Sequence, residues 1–134
     1  MKLHIRRFSR ILIIQALYSW QISGNNIIDI QLEFLSNHNK LNVDVSFFCE
    51  NLVGIVNNVG DIDHKLSFYI SRKINNLDQI EKAVLRLAVF ELLYRDDIPY
   101  KVIINEAIEL TKIFGSQDGY KFINGVLDSM IKSS

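Results

Sequence analysis

Pro99 is the only proline in 134 residues, and on both sides of it apolar residues recur at the spacing of a helix. Ile5, Phe8, Leu12, Ala16 and Trp20 fall at steps of three and four, so they line one side of a helix that turns about 100° per residue. No segment shows the two-residue alternation of a half-buried strand. The pattern predicts an all-α chain. With 49% hydrophobic residues, it can bury a core and does not have the composition of a disordered protein.

Stop and start signals divide the pattern into seven helices. The first spans about residues 4–23 and is closed by Gly24-Asn25-Asn26, residue types that tolerate a left-handed helix end. Ile27, Ile30, Phe34 and Leu35 give a shorter second helix ending near residues 37–39. Asp44 caps a third through Phe47, Phe48, Leu52 and Ile55. Gly60 breaks that run, and a fourth helix from Asp61 or Asp63 carries Leu66, Tyr69 and Ile70 to Asn75-Asn76. Asp78 with Glu81 reads as a capping box opening the fifth. Asp96-Asp97-Ile98 is the next break, and Pro99 takes the first position of the sixth. Gly115 ends it, and Ser116 caps a seventh through Phe122, Val126 and Met130. Two small bundles packed together are expected, about residues 1–60 and 61–134, with the seam near 60–76.

Several functions are disfavoured. No apolar run approaches the roughly 18 residues of a membrane span, and the basic N-terminus lacks the pattern of a signal peptide. Cys49 is the only cysteine, which fits a reducing cytosol. His4, His38 and His64 are far apart without metal-ligand spacing. There is no strand for a phosphate-binding glycine loop to follow. Glu106 and Glu109 could be paired carboxylates, but solvated helix surface is the preferred reading. No metal, cofactor, small-molecule substrate or enzymatic activity is expected. The formal charge is zero, which counts against a protein that holds nucleic acid by net charge alone.

Two local surfaces point to binding. Arg6, Arg7 and Arg10 cluster on the first helix, with Lys2 extending the patch. Tyr18 lies eleven residues beyond Arg7, within about 20° of its direction. Forked guanidinium donors beside an aromatic face suit single-stranded RNA; an ordinary basic helix surface fits the spacing equally well. The second surface is Phe114–Phe122, where one helix ends, another starts and three aromatics gather. Free N–H groups there could meet a phosphate, although the residues alone favour Phe114 and Phe122 as core.

The blocks QALYSWQ, EKAVLR, PYKV-INEAIEL and KF-NGVLD stand in order across nearly the whole chain. In them the sequence resembles the NusB family of bacterial transcription antitermination factors. The resemblance implies a seven-helix RNA-binding domain over residues 1–134, acting as a cytoplasmic, non-enzymatic adaptor. In that family the first helix and the connection between the last two helices contribute to one surface for boxA, a single-stranded signal in nascent transcripts. Arg6, Arg7 and Arg10 match its basic positions, and Phe114, Asp118, Lys121 and Phe122 match its second part. Lys2 and Tyr18 join the first part, and Tyr69 and Arg72 are added from the fourth helix. The family also binds the ribosomal small-subunit protein NusE, which contacts RNA polymerase, and Tyr18 and Glu81 fall on the matching face. Two alternatives differ in class: a NusE-binding scaffold with weakened RNA contact, and the targeting domain of an RNA methyltransferase. Monomer and homodimer are both open.

Overall fold

Among the described residues the helical period carries through as seven α-helices: α1 (Lys2–Ser23), α2 (Ile27–Asn37), α3 (Val45–Asn57), α4 (Val59–Ser67), α5 (Gln79–Tyr94), α6 (Tyr100–Ile113) and α7 (Gly119–Lys132). A computed structural model describes residues 2–37, 42–115 and 118–133, with backbone only for residues 2 and 3. Among these residues there is no strand. The chain divides into two compact units, Met1–Asn57 and Asn58–Ser134. The division falls just before the seam expected at 60–76.

In the first unit α1, α2 and α3 each pack on the other two. Leu12, Ile13, Ile14, Ala16 and Leu17 of α1 are buried, with Ile27 and Ile30 of α2 and Phe47, Phe48, Leu52 and Ile55 of α3. Gly24 closes α1 at φ +70°, a left-handed conformation that glycine adopts without steric cost. Asp44 caps α3 as expected, its Oδ1 accepting from the Phe47 amide at 3.0 Å.

In the second unit α5 is the hub, packed by α4, α6 and α7. It is buried continuously from Lys82 to Glu91. Asp78 caps it, one carboxylate oxygen accepting from the amides of Ile80 and Glu81 at 3.0 and 3.1 Å. Arg86 fastens α5 to α4 through a two-pronged pair with Asp63, at 3.0 and 2.8 Å. This pair is largely withdrawn from water, the side chains being 9% and 23% exposed.

The structure corrects several expectations. Gly60 does not break a helix; it sits in the first turn of α4, and the break is at Asn58, with φ −117° and ψ 17°. The fourth helix ends at Ser67 instead of Asn75-Asn76. Its last turn tightens, with the Phe68 and Tyr69 amides reaching carbonyls three residues back, and Ser67 Oγ bonds the His64 carbonyl at 2.6 Å. Such short closures compete with continuing the helix. Residues 74–76 form only a 3-10 turn. Tyr69 and Arg72 therefore lie beyond α4, in irregular chain. Pro99 is the residue before α6, extended at ψ 142°, one position earlier than expected. Glu106 is buried, 6% exposed, so it is not solvated surface. The proposed cap Ser116 lies outside the described residues, as does His38; Asp118 precedes α7.

Candidate nucleic-acid interface

The first surface is built on the start of α1 and the start of α3. Ser9, fully buried, donates from Oγ to the Ile5 carbonyl at 2.8 Å and accepts from the Asp44 amide at 2.9 Å. Asp44 thus fixes the end of α3 while Ser9 fixes Asp44 to α1. Phe47, one turn into α3, then lies under two guanidiniums, with the Cζ atoms of Arg6 and Arg10 at 4.6 and 5.1 Å from its ring centre. A cation over an aromatic face gains about 0.5–2 kcal/mol, the larger value where water is excluded. Asp44 Oδ2 adds a long ion pair to Arg6 Nε at 3.9 Å.

The three arginines are therefore not equivalent. Arg6, with its side chain 36% exposed, is oriented by the ring yet open to solvent. Arg7 is half-buried. Arg10 is 2% exposed, which corrects the expectation that it shares an open basic face with them. Tyr18 is 41% exposed, on the side of α1 that Arg7 occupies. The Lys2 side chain lies outside the described residues. The role of Ser9 is not apparent from sequence; the available signal is a hydroxyl inside a helix, free to bond the carbonyl four residues back.

The second surface forms where α6 turns into α7. Gly115, at φ +98°, lets the chain leave α6. Phe114 and Phe122 are both half-buried, not core. The Arg72 guanidinium carbon lies 5.1 Å from the centre of the Phe122 ring, so the irregular segment after α4 delivers a cation to the first turn of α7. Tyr69 goes elsewhere. Its hydroxyl bonds Ser133 Oγ at the far end of α7, eleven residues or about 16 Å along the helix from Phe122. Where α6 and α7 meet there is also a concavity of about 300 Å³ lined by Lys112, Asp118, Tyr120 and Lys121. Lys112, whose Nζ lies 4.7 Å from the Tyr120 ring centre, carries no signal in the sequence that marks it for this place.

Glu81 stands half-buried in the first turn of α5. Burial pushes its carboxyl above the ordinary range, Asp78 pushes the same way and Arg72 opposes both. Among the described residues, no group of three or more His, Cys, Asp or Glu side chains is placed to hold a metal. No helix among them is long and apolar enough to cross a membrane.

The NusB family model matches residues 7–132. The chain belongs to the NusB family. The transcription antitermination protein NusB of Proteus mirabilis (strain HI4320) is 54% identical over 128 residues, covering 96% of this chain and 93% of that protein. NusB of Shewanella amazonensis is 49% identical over 98% of each. Among solved structures, NusB of T. maritima matches with a TM-score of 0.85 at 34% identity, covering 95% of this chain and 90% of that one. A NusB crystallised with NusE and double-stranded RNA shares the fold, with a TM-score of 0.86 at 24% identity over 97% and 98% of the two chains.

Proposed function

We propose that this chain is a transcription antitermination factor, a non-enzymatic cytoplasmic adaptor. It binds boxA RNA in nascent transcripts, notably of ribosomal RNA operons, together with the ribosomal protein NusE, and helps assemble an antitermination complex on RNA polymerase. The observation that carries the reading is the paired cation–aromatic construction, Arg6 on Phe47 and Arg72 on Phe122, in a chain that belongs to the NusB family along nearly its full length. Single-stranded RNA binds where fixed cations stand beside accessible aromatic faces. Half-buried Phe122 offers one beside Arg72, whereas buried Phe47 only orients Arg6, and Tyr18 is an exposed aromatic of α1.

On this reading Lys2, Arg6, Arg7, Tyr18, Arg72, Phe114, Asp118, Lys121 and Phe122 contact RNA. Arg10 acts from beneath, through the ring it shares with Arg6. Tyr69 stays an expected RNA contact, anchored at the far end of α7. Tyr18 and Glu81 meet NusE. The relative crystallised with NusE carries duplex RNA, so the test includes both forms. Fluorescence anisotropy would compare labelled single-stranded boxA, a scrambled strand and a duplex of equal length, each with and without NusE. Preferential boxA binding that tightens with NusE is the expected result. Equal, salt-fragile binding to every RNA would reduce the surface to a generic basic patch, and NusE capture without RNA would leave a protein scaffold.

A further inference from the structure

We propose that the concavity at the α6–α7 turn is a subsite for one unstacked base of the RNA, with Tyr120 as its stacking face and Lys112 as the residue that positions that face. The proposal rests on the RNA-binding reading above and adds two residues to it. The cleft of about 300 Å³ is lined by Lys112, Asp118, Tyr120 and Lys121, which puts it at the small end of ligand-sized sites. Tyr120 is half-buried in the first turn of α7, its ring held by the Lys112 ammonium at 4.7 Å. Two residues along a helix turn through about 200°, so Tyr120 and Phe122 cannot stack on the same base.

The charges around the ring sort the parts of a nucleotide. Lys112 and Lys121 are exposed and attract phosphate. Asp118 carries a carboxylate, which accepts hydrogen bonds and repels phosphate. Its wall therefore suits the N–H groups of a base edge, while the phosphate falls to the lysines.

The test is a cycle between protein and RNA. Single abasic substitutions are walked through boxA RNA, and binding in the presence of NusE is measured for the wild type, Tyr120→Leu, Tyr120→Phe and Lys112→Gln. Stacking on an aromatic accounts for about five-fold to a hundred-fold in affinity per base. One abasic position should weaken the wild type by at least about five-fold and have little further effect in Tyr120→Leu. Tyr120→Phe should bind as the wild type does, and Lys112→Gln should weaken binding in part at that same position. Wild-type binding with no abasic position coupled to Tyr120 or Lys112 overturns the subsite alone. No boxA binding by the wild type overturns the subsite and the function together. If Tyr120→Leu fails to fold, the cycle with Lys112→Gln decides.

Discussion

Arg72 stands over the ring of Phe122, 5.1 Å from its centre, although fifty residues separate them and neither sequence period nor charge pattern links them. Arg72 reaches the ring because α4 stops at Ser67. Its charge also opposes the upward push on the Glu81 carboxyl. One exposed side chain therefore acts on a proposed RNA contact and on a proposed NusE contact.

Arg72→Gln should leave the melting temperature nearly unchanged, as exposed substitutions usually do. It should weaken boxA binding and reduce the slope of log K against log salt by about 0.7 if the lost guanidinium met a phosphate. The same variant should raise the pKa of Glu81 above its wild-type value, because the opposing charge is gone; carboxyl-detected NMR titration reads this directly.

Salt dependence separates the arginines of α1. Arg6→Gln and Arg7→Gln should each remove about 0.7 from the slope for single-stranded RNA. Arg10→Gln should leave the slope near that of the wild type and lower stability instead, because Arg10 is buried against Phe47. Anisotropy titrations at several salt concentrations, paired with urea denaturation, distinguish the two outcomes.

Ser9→Ala should destabilise the protein by about 1–3 kcal/mol, since the Asp44 amide loses the hydroxyl it bonds. Asp44→Ala should cost about 1 kcal/mol through the lost cap on α3. The two should be non-additive because they share one junction. Urea denaturation of both variants and the double variant measures the coupling.

The Arg86–Asp63 pair allows a sharper comparison. Arg86→Met strands the Asp63 carboxylate and should cost about 3 kcal/mol. Adding Asp63→Leu should recover part of that loss, because the carboxylate that lost its guanidinium is gone; buried Lys82, whose charged form Asp63 favours, keeps the recovery incomplete. A double variant as unstable as the single one would count against this account.

Glu81 sets a pH dependence. Its carboxyl is raised from an ordinary value of 4.5, by burial first and Asp78 second, so the folded state binds the proton more tightly than the unfolded chain. That contribution is present below the ordinary carboxylate range and is lost as pH rises through the raised value. Glu81→Gln should therefore gain stability relative to the wild type at neutral pH, and the advantage should vanish in acid. Thermal melts of the two proteins across that range check the sign.

Much of this is legible in the sequence. The seven helices follow from apolar spacing, and Gly24, Asp44 and Asp78 declare their ends because their local chemistry permits few alternatives. Residues 68–76 mislead because Tyr69 and Ile70 continue from Leu66 at steps of three and four, which imitates a helix face. Gly60 misleads in the opposite sense: glycine weakens a helix, yet ends one reliably only where the backbone turns left-handed, and Gly60 does not. In the candidate site, periodicity puts the arginines on a common helix but cannot say which of them an aromatic from α3 covers. The Lys112–Tyr120 and Arg72–Phe122 pairs are invisible for the same reason, since tertiary packing brings their partners together.

Phe47 makes the basic patch of α1 genetically larger than its charges. The ring is 2% exposed and can touch no ligand, yet the orientations of Arg6 and Arg10 depend on it. A Phe47→Leu allele would keep every arginine and much of the core volume while releasing the cations from their common support. Loss-of-function alleles of such an interface should map to a residue that carries no charge and lies inside the protein.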